Sequence, residues 1–322
     1  YAILGPSGCG KTTMLNIVSG LVRPSGGKIL FDNQDVTNLK TESRNIAQVF
    51  QFPVIYNTMT VYDNLAFPLK CREFAKEKIE ERVQSVSQTL NLSSFLNMPA
   101  RKLTADQKQL ISLGRGLVRE DVAAVLMDEP LTVIDPDLKF KLRRSLKEIN
   151  EQYKTTLVYV THDQNEAMTF ADNIIVMDQG EIVQVGLPKD LFERPKTTFV
   201  GYFIGSPAMN LFNSEVVSNN SIKFSNLEIN TKTDLSKIKN KKVKLGIRSE
   251  FIKIANGQKE NVIDVKVSRV EDFGNFKLIT GKIGEFEIKS KVERETPISL
   301  ENLKLFLPAE KCCVYSEERL VQ

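Results

Sequence analysis

Residues 1–13 read Tyr1-Ala2-Ile3-Leu4-Gly5-Pro6-Ser7-Gly8-Cys9-Gly10-Lys11-Thr12-Thr13, and the fold turns on this stretch. Gly5 to Thr12 is G-x-x-x-x-G-K-T, preceded by an apolar strand-like run and followed by helix-like MLNIVSG at 14–20. Strand, glycine-rich turn and helix in that order are the setting in which this spacing makes a phosphate loop. The glycines let the backbone curl until successive N–H groups converge on phosphate oxygens, and the helix N-terminus adds its dipole. Lys11 would reach the β- and γ-phosphates, and the Thr12 hydroxyl would coordinate Mg²⁺. Cys9 reads as a small loop filler rather than a redox thiol.

Two further strand ends carry acidic or titratable residues. The apolar run Val122–Met127 leads into Asp128-Glu129-Pro130, as expected of a buried parallel strand stopped by proline. Carboxylates at the C-terminal end of such a strand lie where open α/β sheets bind ligands. Asp128 would hold the Mg²⁺ shell and Glu129 would accept the proton of an attacking water. A third strand, Thr156–Thr161, ends at His162-Asp163, so the single histidine of the chain falls at the same sheet edge. That placement favours a γ-phosphate sensor over a packing residue.

Composition narrows the classes further. The chain has 322 residues, net charge +4, one histidine and no tryptophan. One histidine excludes zinc sites built on several, and would oblige a Ser-His-Asp mechanism to run through His162 alone. The charge is unevenly spread: residues 1–210 hold 24 Lys+Arg and 24 Asp+Glu, and residues 211–322 hold 20 and 16. Much of the excess comes from the run at 232–244, with six lysines against one aspartate, which reads as a solvated loop or linker rather than a polyanion site. Four cysteines without a C-x-x-C pair fit a reducing compartment. The first residue is Tyr1, not Met, read as part of a strand and its core, so the chain is expected to lack its true start.

These pieces, in this order, resemble the ATP-binding subunit of an ABC transporter, over almost the whole chain. Gly5–Thr12 looks like the family's Walker A motif, Gln51 in Val-Phe-Gln like its Q-loop, and Val125–Asp128 like Walker B with catalytic Glu129. Thr132–Asp135 sits at the D-loop, with Asp135 its acidic residue, and His162 at the switch histidine. GPSGCGKTT, Thr161–Met168 (THDQNEAM) and Glu181–Gly186 (EIVQVG) are similar to the bacterial importer ATPases for maltose and sn-glycerol 3-phosphate. The resemblance implies a P-loop α/β ATPase domain over 1–210, with a helical subdomain at about 52–115, and ATP and Mg²⁺ as its ligands. Thr12, Gln51 and Asp128 would then share the metal, Asp128 through water. Transmembrane permease subunits and a second ATPase subunit are the implied partners, on the cytoplasmic face of the bacterial inner membrane. No nucleic-acid partner is expected. The readings weighed against this are a soluble ABC-type ATPase acting on nucleic acid or ribosomes, and a non-catalytic nucleotide sensor.

Two departures from the family pattern matter. The signature Leu-Ser-Gly-Gly-Gln stands here as Leu103-Thr104-Ala105-Asp106-Gln107. Thr104 and Gln107 make a capping box for a helix running to Val118, but the glycine pair that permits close backbone approach is lost. In the family this motif faces the γ-phosphate held by the partner subunit. A carboxylate about 4 Å from a like charge costs on the order of 4 kcal/mol at an effective dielectric near 20. Either Asp106 points away from the nucleotide or the chain pairs with a different ATPase whose signature is intact. The second departure is that the family's adenine-stacking aromatic lies upstream of Walker A, outside this chain, so weak nucleotide binding is expected.

Within the middle segment, Ile79, Val83, Val86 and Leu90 recur at i, i+4, i+7 and i+11, one apolar stripe of a helix. Leu138, Leu142, Leu146 and Ile149 mark another. From about residue 211 short alternating runs appear at Ser221–Ile229, Lys242–Ile247, Val262–Val270, Phe276–Thr280 and Glu285–Ser290. They read as small β-barrel modules. Leu245–Glu250 (LGIRSE) and Val270–Asn275 resemble the TOBE-type regulatory domain of those importers, giving an OB/TOBE-like domain over 211–322.

Overall fold

The computed structural model describes residues 1–153, 155–238, 242–300 and 303–321, so residues 239–241 of the lysine run lie outside it. The chain divides into two compact units, Tyr1–Ile182 and Val183–Gln322.

The first unit is built on β1 (Ala2–Leu4), α1 (Lys11–Ser19), the short hairpin β2 (Leu30–Phe31) and β3 (Gln34–Asp35), and β4 (Ile46–Val49). Then come α2 (Val61–Lys70), α3 (Lys76–Thr89), α4 (Ala105–Leu117), β5 (Ala124–Asp128), α5 (Pro136–Tyr153), β6 (Thr156–Thr161), α6 (Gln164–Phe170) and β7 (Ile174–Asp178). With β8 (Glu181–Gly186) the main sheet runs β4-β5-β6-β1-β7-β8. The strands from β4 to β7 pair in parallel. Val49 is level with Met127, Asp128 with Val160, and Leu4 with Thr161. Neighbouring strands end within a residue of one another, and all four within two, so whatever follows each of them emerges at one edge of the sheet. β1, β5 and β6 are almost wholly buried, which is why they read as unbroken apolar runs rather than as alternation.

The stripe of α3 packs as its spacing requires: Ile79, Val83, Val86 and Leu90 are all buried. Gly114 of α4 lets three helices close together, since a Cβ there would meet Leu65 Cδ2 at 2.5 Å and Leu90 Cδ1 at 3.1 Å. The capping box at the start of α4 is formed, with Thr104 N–H donating to Gln107 Oε1 at 3.1 Å. Tyr1 departs from expectation. It stands one residue before β1 and is half exposed; its carbonyl accepts from Tyr159 N–H at 3.0 Å, so only its main chain joins the sheet.

The second unit holds α7 (Pro188–Glu193), α8 (Thr198–Phe203) and eleven strands: β9 (Asn210–Ser218), β10 (Ser221–Phe224), β11 (Leu227–Asn230), β12 (Lys242–Ile247), β13 (Lys253–Ile254), β14 (Val262–Asp272), β15 (Phe276–Ile283), β16 (Phe286–Glu293), β17 (Leu303–Phe306), β18 (Cys313–Ser316) and β19 (Arg319–Leu320). They form two antiparallel sheets, β11-β10-β9-β12-β18-β19 and β13-β17-β14-β15-β16, curled into a half-barrel. Phe212, Phe224, Ile263, Ile279, Ile288 and Leu305 belong to its main apolar core, and Met209, Cys313 and Tyr315 form a smaller one. The run read as one strand at 221–229 is a hairpin, turned at Ser225 in the left-handed region (φ 53°). Within this unit, residues 192–204 are tied to the sheets by two buried side chains. Arg248, fully buried, donates to the carbonyls of Phe192, Gly201 and Ile204. Tyr315 donates to Pro195 O at 3.1 Å.

Candidate functional site

Between β1 and α1 the loop 5–10 curls through two left-handed glycines, Gly8 (φ 80°) and Gly10 (φ 101°). A side chain at Gly8 would meet open space, so that position asks for glycine by its backbone angle alone. Gly5 is glycine for another reason, since a Cβ would lie 2.3 Å from Met177 O of β7. Cys9 packs its thiol into the core beside Ile3, Leu15 and Met177, as a filler, and its carbonyl accepts from Gly180 N–H at 3.0 Å. Pro6 O accepts from Cys9 N–H at 3.3 Å, closing the turn.

At the start of α1, Met14 N–H is the donor to Gly10 O at 2.9 Å. No side chain caps the helix, so the N–H groups of Gly10, Lys11, Thr12 and Thr13 have no helical acceptor and their dipoles add at the mouth of the loop. Lys11 is buried, and its ammonium donates to Gly5 O at 2.8 Å and Pro6 O at 2.9 Å, which holds the charge over the loop. A positive charge, a row of unspent amides and two permissive glycines form a receptor for a polyanion. The cleft here is lined by Ser7, Gly8, Gly10, Lys11, Thr12, Thr13 and Glu129.

Asp128 ends β5 beside this cleft. Its carboxyl is held above its ordinary value by burial first and by Glu129 next, against the opposing Thr12 hydroxyl bond and Lys11 charge. The sign follows directly: the folded state binds this proton more tightly than the unfolded chain, so the ionised group at pH 7 costs stability. Asp128→Asn is expected to raise the thermal midpoint at pH 7. The gain should shrink as pH falls toward about 4 and be gone below it, where the carboxyl is protonated in both the folded and the unfolded chain. Parallel melting curves across that range check it, and a lower midpoint at pH 7 would contradict it.

Glu129 is the meeting point. It takes a left-handed backbone (φ 44°), and its N–H donates to Val160 O at 3.0 Å, an arrangement that turns the side chain out of the strand line. Three donors from three segments converge on Oε2: His162 Nδ1 at 3.1 Å, Gln51 Nε2 at 3.4 Å and Thr132 Oγ1 at 3.4 Å. Gln51 follows β4, Glu129 follows β5, and His162 follows β6, so the level strand ends are what bring them together. The Thr132 hydroxyl has one proton, shared between Oε2 and the nearer Glu129 O at 3.0 Å.

Two groups of residues singled out in the sequence lie elsewhere. Asp135 caps α5 by accepting from Asp137 N–H at 3.0 Å. Leu103, Thr104, Ala105, Asp106 and Gln107 open α4 and do not line the cleft of their own chain. Asp106 is bent back on itself, its carboxylate accepting from the Thr104 hydroxyl.

One residue went unnoticed in the sequence. Gln109, on the second turn of α4, is buried, and its Nε2 donates to Phe50 O at 3.1 Å and Pro130 O at 3.0 Å. It thereby bridges the residue before Gln51 and the residue after Glu129. A lone glutamine in a helix carries no local signal of such a role.

Comparison with known proteins follows from this geometry. The family model described as ABC transporter matches residues 1–132, and that of the MalK OB fold domain matches 205–252. The chain is 39% identical over 310 residues to the sn-glycerol-3-phosphate import ATP-binding protein UgpC of Pectobacterium atrosepticum, covering 95% of this chain and 86% of that one. It is 35% identical to the trehalose/maltose import ATP-binding protein MalK of Thermococcus litoralis, covering 94% and 89%. Among solved structures it is similar to cbiO1 of Clostridium perfringens, part of the ABC transporter complex cbiONQ (TM-score 0.55, 28% identity, 60% of this chain and 78% of that one). A dimeric ATP-binding cassette in a post-hydrolysis state with ADP and Pi is also similar (TM-score 0.52, 29% identity, 58% and 84%).

Proposed function

The chain belongs to the ABC transporter family of import ATP-binding proteins, and on that premise we propose that the cluster on Glu129 is the hydrolytic centre of an ATPase that energises uptake of a sugar or glycerol phosphate. The observation that carries it is the convergence of Gln51, Thr132 and His162 on one carboxylate oxygen beside the phosphate loop. The chain binds and hydrolyses ATP and works with transmembrane permease components. Among the described residues no helix is long and apolar enough to cross a membrane, so translocation belongs to those partners. The place of action is the cytoplasmic face of the bacterial inner membrane, with residues 1–210 as the ATPase domain and 211–322 as the regulatory β domain.

In this reading the loop amides, with Lys11, hold the nucleotide's phosphates in line for attack. Oε2 of Glu129 is taken up by its three donors, which leaves Oε1 to accept the proton of the attacking water. Gln51 and His162, joined to that same carboxylate, bring the ends of β4 and β6 against the γ-phosphate. Thr12, Asp128 and Gln51 each carry a side-chain oxygen, a set suited to Mg²⁺, which when bound would neutralise phosphate charge.

The altered signature points to the partner. Ala105 and Asp106 stand where the family has two glycines, and a carboxylate facing another subunit's nucleotide would weaken that site. With the Asp106 carboxylate held by Thr104, it is the lost glycine pair that favours pairing with a second ATPase whose signature is intact, giving one strong and one weak ATP site. Phosphate release by the purified chain with Mg-ATP tests both parts. Slow turnover alone is expected, rising about tenfold in Ala105→Gly/Asp106→Gly. Full importer-like turnover by the unaltered homodimer would sink the pairing, and no turnover in either form would sink the hydrolytic centre.

A further inference from the structure

His162 reaches Glu129 with a side chain that is 59% exposed, so packing does not aim it. Its direction is set by the backbone of 161–163, and that backbone is held from behind. Asp163 N–H donates to Thr161 Oγ1 at 3.0 Å. With that oxygen accepting, its own proton goes to Glu166 Oε2 at 2.9 Å. The same carboxylate oxygen accepts from the Tyr159 hydroxyl at 2.9 Å. Oε1 of Glu166 pairs with Arg143 of α5 at 3.1 Å. Asp163 returns the favour by capping α6, where its Oδ1 accepts from the N–H groups of Asn165 and Glu166 at 2.7 and 3.2 Å. Tyr159, Thr161 and Glu166 are all buried, at 0%, 3% and 5% exposure. Each proton in the chain Asp163 N–H, Thr161 O–H, Glu166 carboxylate has one place to go, so the turn carrying His162 has one shape.

Building on the hydrolytic reading above, we propose that Glu166, neutralised by Arg143, is a positioning residue that fixes the 161–163 turn and thereby aims His162 at Glu129. It is buried and is not among the residues that line the phosphate-loop cleft. A buried carboxylate needs its charge compensated and its lone pairs filled, and here the compensation comes from the helix that follows Asp135. The link therefore also ties α5 to the His162 turn. Glutamine at 166 keeps the shape but presents an amide N–H₂ either to Arg143 or to the two hydroxyls, and one side of the clamp opens.

The one histidine of the chain makes the test specific, since ring ¹⁵N–¹H correlations report His162 alone. In wild type a single tautomer with its proton on Nδ1 is expected. In Glu166→Gln the ring signals should move toward those of a free, averaging imidazole. Arg143→Met should move them the same way, and it reads the same contact if Glu166→Gln fails to fold. ATP turnover should fall about tenfold in Glu166→Gln at unchanged KM, but less than about twofold when the change is made in a His162→Ala background. Unchanged ring signals in Glu166→Gln, or equal losses of turnover in both backgrounds, would overturn the proposal. Shifted ring signals in Glu166→Gln, together with a wild type that hydrolyses no ATP, would instead refute the hydrolytic reading and leave the clamp standing.

Discussion

Glu129→Gln is expected to lower the single-turnover rate of ATP hydrolysis about a thousandfold while leaving nucleotide affinity within about threefold of wild type. The amide has the shape of the carboxylate, and its oxygen can occupy the place of Oε2 and keep the donors from His162, Gln51 and Thr132. What it cannot do is take a proton at the position of Oε1. The change thus removes the base and preserves the cluster, separating chemistry from binding. The loop amides, Lys11 and Thr12 are untouched, so the phosphates should still be held. Rapid-mixing hydrolysis alongside titration with a fluorescent ATP analogue measures both quantities. A rate within tenfold of wild type would remove Glu129 from the chemistry, and lost affinity would mean that the cluster had collapsed.

Arg248→Ala should have the largest effect on stability, a loss of about 3 kcal/mol in the second unit. The guanidinium is fully buried, lies 4.6 Å from the Phe192 ring, and serves three carbonyls from two helices and the turn after them. Burial pushes its pKa down to about 10, so it remains charged at neutral pH. Alanine takes the guanidinium from three carbonyls, of which Gly201 O keeps only the N–H of Met209, and leaves a cavity beside Phe192, so the segment from α7 to β9 is held to the half-barrel chiefly by Tyr315. Hydrogen exchange is the direct measurement: protection of the β9 and β12 amides should fall about a hundredfold. Unchanged protection would show that Tyr315 and its bond to Pro195 suffice.

Much of the catalytic unit is legible in the sequence because its signals are local. The glycine spacing, the apolar runs ending in Asp128 and Thr161, and the Thr104–Gln107 cap each span few residues, and each forms the element it encodes. The half-barrel is legible as alternation, although Ser221–Ile229 hides a turn whose left-handed residue is a serine. What stays hidden depends on partners far away in sequence. Gly5 is fixed by the Met177 carbonyl, Gln109 by Phe50 and Pro130, Glu166 by Arg143, and Arg248 by Phe192 and Ile204. Nothing beside these residues announces their roles; only the fold supplies the other half of each contact. Tyr1 shows the converse, a residue whose apolar neighbours predict burial while its position one step outside β1 leaves it half exposed.

The place of β1 in its sheet bears on how the protein is made. Its two neighbours are β6 and β7, paired through Ala2 with Tyr159 and Ile174. A ribosome adding about 5–20 residues per second therefore needs roughly 10–30 s after β1 before both partner strands exist. Through that interval the strand that carries the phosphate loop has no sheet to join, and its apolar residues stay open to competing contacts. Nascent chains stalled before residue 156 should consequently lack a formed nucleotide site and be the forms that a holding chaperone retains, whereas chains stalled beyond β7 should already bind nucleotide.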